Sequence, residues 1–288
     1  MTSRALGGTW LLAVGLLLTS AGCLRTSLFE TSLDEDQRDQ TRKNLERLGA
    51  TPPPGGQLKL VFISDPHERF EELYSIVDWV NAQGDISLVL LGGDVTTFGA
   101  RQEFVWAHEM LSRLQVPWFV APGNHDLLTA GPDLYEKMFG PRNFAFDWAG
   151  YRFVLFDTSP LELDRRHLPL AWLREQLEGM PDGTRAVVFT HHPPDSRPHI
   201  LPEEEPVYRQ IQREGGVVLN LHGHIHSRYY VRRDGPTTQV NARTARHGHF
   251  VLVTLDGDAV TVQPCRQGIG CDAPTPAEPV DIDREWPP

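Results

Sequence analysis

Five short apolar runs in this chain each end in a cluster of Asp, Asn or His, and this regularity constrains the fold more than any other feature. Each run has the length and composition of a buried strand. In open α/β sheets the ligand site lies beyond the carboxyl ends of the strands, so we expect the five clusters to converge. The clusters are Asp65-Pro66-His67, Gly93-Asp94, Gly123-Asn124-His125-Asp126, His191-His192-Pro193 and Gly223-His224-Ile225-His226.

The spacing of apolar residues predicts one α/β domain over residues 58–263. The runs Leu58–Ile63 and Leu88–Leu91 have the continuous apolar composition of buried strands. Beyond residue 228 the pattern is purely β. A domain of about 205 residues is long enough to bury a substantial core. Between the first two runs, four apolar residues recur at the i, i+3, i+4 and i+7 spacing of one helix face: Leu73, Ile76, Val77 and Val80.

The overall composition is that of a globular protein. Of the 288 residues, 40% are hydrophobic and 23% are charged, which argues against global disorder and against a coiled coil. The formal net charge is −11, from 27 Lys and Arg against 38 Asp and Glu. This acidic balance, without a dense basic run, argues against nucleic acid as the main partner.

The first 22 residues are predicted to be an export signal. Arg4 supplies a positive start, and residues 6–18 form an apolar core that is short for a membrane span. The small residues before Cys23 resemble a bacterial lipobox, although Ser20 stands where that pattern usually has Leu. We therefore expect an exported protein of the periplasm or cell surface, attached to the membrane by a lipid on Cys23. An ordinary cleaved signal and an N-terminal membrane anchor are the alternatives.

Two segments outside the domain carry few apolar residues. Residues 23–57 combine a mixed charge run with a Pro-Pro-Pro-Gly-Gly stretch, which predicts a flexible tether that spans about 30–35 Å. A short helix over residues 34–48 is the alternative. Residues 264–288 form a tail that is rich in Pro and acidic residues. Its Cys265 and Cys271 are close enough in sequence to close a small loop through a disulfide in an exported protein.

The five clusters contain the side chains that divalent metal ions bind. They supply carboxylate oxygens, imidazole nitrogens and one neutral amide oxygen. Seven ligands are too many for one tetrahedral ion, but they suit two ions if one carboxylate bridges them. Paired ions about 3.5–4 Å apart clamp the oxygens of an in-line displacement at phosphorus. The seven candidate ligands are Asp65, His67, Asp94, Asn124, His191, His224 and His226.

The order of the motifs resembles that of the calcineurin-like metallophosphoesterase superfamily. The family pattern reads Asp-x-His, Gly-Asp, Gly-Asn-His-Asp/Glu, His often followed by x-Pro, and Gly-His-x-His, and the resemblance covers roughly residues 58–255. Gly-Asn-His-Asp carries the most weight, because about 0.0015 matches are expected in a shuffled chain of this composition. The resemblance implies an α/β fold of two mixed β-sheets packed face to face with flanking helices.

The resemblance also implies a role for each residue of the clusters. Asp94 would bridge two divalent ions (Mn, Fe, Zn or Co), and a hydroxide shared between them would be the nucleophile. His125 would lie over the phosphate as an electrostatic stabiliser or leaving-group acid, and Asp126 could orient it. Thr97 stands where purple acid phosphatases have a Tyr ligand, so a coloured iron–tyrosinate site is not expected. Apart from Asp94, the first ion would be held by Asp65, His67 and His226, and the second by Asn124, His191 and His224.

Other polar residues near the motifs have alternative interpretations. His192 competes with His191 as a ligand, but the His-x-Pro pattern favours His191, so His192 is expected to line the pocket. His247 and His249 precede a β run and are expected to be structural or pocket-lining. Residues 203–205, three consecutive Glu, are expected to form a solvated loop or the rim of the pocket.

Together these features predict a metal-dependent hydrolase of small phosphate esters. Phosphodiesters are slightly favoured over phosphomonoesters, because the motif order resembles the cyclic-nucleotide and glycerophosphodiesterase branch. A non-catalytic envelope lipoprotein that uses the same fold for binding or assembly is the alternative, and the complete ligand set argues against it. A metallo-β-lactamase type of hydrolase is set aside, because its His-x-His-x-Asp-His segment does not occur in the chain. The sequence leaves the oligomeric state open.

Overall fold

Of this chain, the computed structural model describes residues 27, 29–49, 56–164 and 167–279. The predicted export signal and Cys23, its expected lipidation site, lie outside the described residues. Within the described part, no helix has the length and apolar character that crossing a membrane requires.

The described residues form thirteen β-strands and six α-helices, besides short 3₁₀ turns. In chain order the strands are β1 (Leu58–Ile63), β2 (Leu88–Leu91), β3 (Trp118–Val120), β4 (Phe144–Trp148), β5 (Tyr151–Leu155), β6 (Arg185–Phe189), β7 (Val217–His222), β8 (Tyr230–Asp234), β9 (Thr237–Asn241), β10 (His249–Asp256), β11 (Ala259–Arg266), β12 (Gly270–Cys271) and β13 (Glu278–Pro279). The helices are α1 (Gln40–Leu48), α2 (Phe70–Ala82), α3 (Arg101–Leu111), α4 (Gly131–Met138), α5 (Leu170–Glu178) and α6 (Glu204–Glu214).

The strands form two mixed sheets, as the family resemblance implied. The first has six strands in the order β12-β11-β10-β1-β2-β3, and the second has seven in the order β13-β8-β9-β7-β6-β5-β4. In the first sheet β1, β2 and β3 are parallel, whereas β10 runs antiparallel to β1. In the second sheet β5, β6, β7 and β9 are parallel, β4 runs antiparallel to β5, and β8 runs antiparallel to β9 but parallel to β13.

Alternation of side chains along β1 shows how the layers are held together. Leu60 and Phe62 belong to the buried cluster that also contains Phe153 and Phe189 of the second sheet, so the two sheets pack face to face. The residues between them point the opposite way. Val61, for example, packs in a separate cluster with apolar residues of α2 and α3. A third cluster covers the outer face of the second sheet with α5 and α6. The result is a four-layer αββα arrangement.

Strand register brings the predicted clusters to one edge of the two sheets. Ile63, Leu91 and Val120 are aligned partners at the carboxyl ends of β1, β2 and β3. In the second sheet Phe189 and Leu221 are aligned in the same way. Each cluster follows its strand within a few residues, so all five clusters must emerge at this edge.

Part of the predicted tether is folded onto the domain. Within the described residues, the helical alternative over residues 34–48 is the one that the structure has, because α1 forms there. Asn44 Oδ1 accepts a hydrogen bond from the Trp118 amide at 3.0 Å, and Arg47 donates to the Leu114 carbonyl at 2.9 Å. Strand β3 is a sheet edge, and α1 covers it and satisfies one of its free amides.

The C-terminal boundary predicted at residue 263 is too early. Strand β11 continues to Arg266, β12 pairs back on it, and β13 pairs with β8 at the edge of the second sheet. Cys265 and Cys271 form a disulfide across the β11–β12 pair. The first part of the Pro-rich tail is therefore integrated in the sheets.

Candidate metal centre

The loops that follow the aligned strands are tied to one another by backbone hydrogen bonds. The amide of His67 donates to the Asp94 carbonyl at 2.9 Å, and the amide of Asp65 donates to the Gly93 carbonyl at 3.1 Å. From the second sheet, the His224 amide donates to the Asp65 carboxylate at 3.0 Å. Thr244, which the sequence analysis did not single out, donates from its hydroxyl to the Asp65 carbonyl at 2.7 Å. Loops from both sheets thus hold a common centre.

Four of the candidate ligands have a left-handed backbone, which L residues other than Gly rarely adopt. Their φ angles are 54° at Asp65, 48° at His67, 53° at Asp94 and 64° at His224. Such conformations cost about 1–3 kcal/mol each and concentrate at functional sites, where surrounding contacts impose them. Here the backbone bonds between loops provide that constraint. The strain is therefore located at the residues whose side chains have to converge.

One group of four side chains matches the ligand set that the resemblance implied for the first ion. A ligand atom from each member lies within 4.8 Å of the others. His226 Nε2 is 3.1 Å from an Asp65 carboxylate oxygen and 3.4 Å from His67 Nε2. His67 Nε2 is 3.7 Å from the Asp94 carboxylate. The members of this group are Asp65, His67, Asp94 and His226.

A second group adjoins the first through Asp94. His191 Nε2 lies 3.3 Å from the Asp94 carboxylate, 3.0 Å from Asn124 Oδ1 and 3.2 Å from His224 Nδ1. His192 also brings a ring nitrogen within 4.8 Å of those of His191 and His224. However, His192 Nδ1 faces the Thr158 hydroxyl at 3.4 Å, whereas His191 contacts every other member of the second set. This geometry favours His191 as the ligand.

Backbone carbonyls determine which nitrogen each imidazole presents to the centre. His191 Nδ1 donates to the Gly92 carbonyl at 2.7 Å, and His67 Nδ1 donates to the Thr96 carbonyl at 3.2 Å. In the neutral form of each ring, Nε2 therefore carries the lone pair. This is the tautomer that can bind a metal through Nε2. No sequence motif marks these carbonyls, because any residue type can provide one.

At the centre, burial and neighbouring charges shift the pKa values of Asp94 and His191 in opposite directions. Burial alone would raise the pKa of Asp94, but the neighbouring imidazoles, above all His191, hold that pKa below its usual range. Burial disfavours a charged His191 as well, yet Asp94 and Asp65 raise the pKa of His191 to about 10. Burial lowers the pKa of His224 to about 4, so its ring stays neutral. The two buried carboxylates therefore attract positive charge to this position.

The donor set fits divalent cations. His191 Nε2 lies 3.0 Å from Asn124 Oδ1 and 3.3 Å from the Asp94 carboxylate. The two oxygen atoms favour a cation at this nitrogen: a proton when no metal is present, or a metal ion that replaces that proton. Mixed imidazole and oxygen donors suit Zn, Mn, Fe or Co. The seven side chains that the sequence predicted as ligands are all brought together here.

His125 lies at the border of this centre. Its amide donates to Asp94 Oδ1 at 2.9 Å, and its ring packs edge-on against His67 with 5.0 Å between ring centroids. Its Nδ1 donates to the Thr97 carbonyl at 2.7 Å. The ring is therefore fixed in orientation, with Nε2 at its free end.

Asp126 does not orient His125, contrary to the expectation from the sequence. Its carboxylate accepts hydrogen bonds from the Gly123 amide at 3.0 Å and from the Thr96 amide and hydroxyl at 2.8 and 2.9 Å. The group that holds the His125 ring is the Thr97 carbonyl. Burial, followed by the charge of Asp94, raises the pKa of Asp126 to about 7. Asp126 instead ties together the loops after β2 and β3.

This fold and this site are those of a metallophosphoesterase. Comparison of the sequence with known families agrees: the calcineurin-like phosphoesterase family matches residues 58–228, and the chain belongs to that family.

Two relatives and one solved structure give a finer comparison. A 3′,5′-cyclic-nucleotide phosphodiesterase of Nostoc is 26% identical over 158 residues, which cover 52% of this chain and 59% of that protein. A glycerophosphodiester phosphodiesterase of Enterobacter lignolyticus is 30% identical over 158 residues, covering 47% and 56%. A purple acid phosphatase from yellow lupin has a similar fold, with a TM-score of 0.59, 14% identity and coverage of 81% and 56%. The chain thus spans less than two thirds of each of these proteins.

Proposed function

We propose that the protein is a dinuclear metal-dependent hydrolase of phosphate esters. One observation carries this proposal: two adjoining groups of ligands share the Asp94 carboxylate. The first ion would be held by Asp65, His67, Asp94 and His226, and the second by Asp94, Asn124, His191 and His224. When bound, two such ions neutralise the phosphoryl oxygens and lower the pKa of the water from which the attacking hydroxide comes.

Residues of the chain itself orient the substrate and protonate its leaving group. Because the Thr97 carbonyl accepts the hydrogen on His125 Nδ1, Nε2 carries a hydrogen only in the imidazolium form of the ring, and in that form it can donate to an ester oxygen beside Asp94. In that position it can stabilise the developing charge or protonate the leaving group. The His224 amide holds the Asp65 carboxylate in place, and the His125 amide holds the Asp94 carboxylate.

Phosphodiesters are our preferred substrate class. The support is the two relatives named as phosphodiesterases, of cyclic nucleotides and of glycerophosphodiesters. A panel of nitrophenyl monoesters and diesters, assayed with the Mn(II)-loaded protein, tests both the hydrolase activity and the preference for diesters. We expect turnover of these phosphate esters, with diesters hydrolysed faster than monoesters. Turnover of monoesters alone would contradict the diester preference, and turnover of none would contradict the hydrolase.

Replacing His125 by Ala separates chemistry from metal binding. We expect turnover to fall about 10²–10⁴-fold, the usual contribution of a positioned acid or base, while the metal content stays unchanged. Turnover of bis(p-nitrophenyl) phosphate and elemental analysis of the same sample measure the two effects. His167→Ala is a matched control, because that side chain is 69% exposed and contacts Glu204 away from the centre. Undiminished turnover in His125→Ala would remove His125 from the mechanism.

We further propose that the protein is exported and held at the bacterial envelope by a lipid on Cys23. The support is the signal-like pattern of residues 1–22 and the small residues before the cysteine. The full chain, expressed in bacteria with radioactive palmitate, should incorporate label, and Cys23→Ser should not. A wild-type protein without label would contradict lipid attachment.

A further inference from the structure

Three polar side chains form a wall beside the position of the second ion. The His192 ring stacks on the His199 ring at 3.8 Å between centroids and lies 4.2 Å from the His224 ring. His199 Nδ1 is 3.9 Å from a Glu162 carboxylate oxygen. We call His192, His199 and Glu162 the polar wall. Sequence patterns gave no signal at His199 or Glu162, since each lies in a loop without a motif.

Each member of the polar wall has a buried polar atom without a hydrogen-bond partner among the described residues. These atoms are His192 Nε2, His199 Nδ1 and Glu162 Oε2. His192 is completely buried, and only 13% of the His199 side chain and 12% of the Glu162 side chain are exposed. Buried polar atoms are nearly always paired, and an unpaired one costs about 1–3 kcal/mol. Three of them side by side therefore indicate a ligand.

The hydrogen bonds behind His192 indicate which groups the wall presents. The His192 amide donates to the Thr158 hydroxyl oxygen at 2.9 Å, which leaves the hydroxyl hydrogen free to approach His192 Nδ1 at 3.4 Å. His192 Nε2 then carries a hydrogen and is a donor. Glu162 Oε2 is an acceptor when ionised. The wall thus offers both a donor and an acceptor.

A metal ion is not the ligand that this wall suits. The two groups of converging ligand atoms contain neither His199 nor Glu162. A second phosphate is also disfavoured, because it would face the Glu162 carboxylate. A hydroxyl group is neutral and both donates and accepts, so it pairs with all three atoms.

We propose that His192, His199 and Glu162 bind hydroxyl groups on the alcohol part of the substrate. This inference rests on the proposed function and narrows it to phosphodiesters of polyhydroxy alcohols, such as glycerol or ribose esters. An ester with a plain alkyl group leaves the three polar atoms unpaired, and sites built to bind a hydroxyl discriminate strongly against analogues without it.

Two diesters that differ only in their hydroxyl groups test the proposal. The full-length, metal-loaded protein is assayed with p-nitrophenyl glyceryl phosphate and p-nitrophenyl propyl phosphate, which share one leaving group. We expect kcat/KM for the glyceryl ester to be at least about tenfold higher. His199→Phe keeps a stacked ring but removes both nitrogens, and Glu162→Met keeps length but removes the acceptor. Each should remove most of this preference, measured as the ratio of kcat/KM for the two esters, while Glu178→Gln on α5 should change nothing.

Measuring ligand binding in the absence of turnover tests the role of the polar wall independently. Calorimetric titration of the metal-loaded protein should show glycerol 3-phosphate binding at least about tenfold more tightly than propyl phosphate, with the difference lost in His199→Phe. If the wild type hydrolyses neither diester, the proposed function fails, and the titration still decides the role of the wall. Equal affinity for the two ligands, or a preference unchanged in both variants, would overturn the inference.

Discussion

Asp94→Ala is expected to remove at least one metal ion per chain and to lower turnover by more than about 100-fold. Replacing a residue that only supports a metal ligand costs about 10–100-fold, so losing a shared ligand should cost more. The Asp94 carboxylate lies 3.3 Å from His191 Nε2 and 3.7 Å from His67 Nε2, and therefore belongs to both groups. Elemental analysis and bis(p-nitrophenyl) phosphate turnover, measured on the same sample, report the two losses.

The isosteric change Asp94→Asn separates loss of charge from loss of fold. It keeps an oxygen that can accept the hydrogen bond from the His125 amide, so its melting temperature should stay close to that of the wild type. Asp85→Asn is the matched control, because Asp85 is 60% exposed and pairs with Lys59 at the surface. Full metal content in Asp94→Asn would show that the carboxylate is not shared between the ions.

Gly223→Ala is expected to disrupt the centre without altering any candidate ligand. A Cβ atom at this position would lie 1.8 Å from Ser64 Oγ and 2.3 Å from Asp65 Oδ2. Both belong to the loop after β1, which must move away and take Asp65 with it. We expect destabilisation by about 1–3 kcal/mol or more, the cost of overpacking, together with loss of metal binding. Denaturant unfolding and elemental analysis measure these effects.

Gly84→Ala provides the comparison for that substitution. A Cβ atom at Gly84 would meet nothing within 4 Å, so neither stability nor metal content should fall. If Gly223→Ala behaved like Gly84→Ala, the close approach between the two loops would not be needed for the centre.

The sequence predicted the centre well because its signals are local. Each cluster follows directly after a strand, and parallel strands of one sheet end at the same edge, so the topology of the first sheet brings Asp65 and Asn124 together. His224 joins them from the second sheet, where its amide donates to the Asp65 carboxylate. The two-sheet arrangement came from the family resemblance, and the structure confirms it.

The features that the sequence did not reveal depend on distant partners. Strand β9, with the sequence Thr-Thr-Gln-Val-Asn, lacks an apolar pattern, yet it is fully buried. Its polar side chains have buried partners: Gln239 donates to Gln212 at 2.9 Å, and the Thr237 hydroxyl donates to the Val217 carbonyl at 2.8 Å. Glu204, expected in a solvated loop or at the rim of the pocket, is buried at the start of α6 and accepts from the Leu168 amide. Asp126 and His199 also take their surroundings from segments more than twenty residues away.

The central claim is that one cage holds two cations, and anomalous diffraction from crystals of the Mn(II)-loaded protein tests it directly. We predict two anomalous peaks per chain, both adjacent to the Asp94 carboxylate, one on the His67 side and one on the His191 side. A single peak, or peaks remote from Asp94, would contradict the dinuclear account.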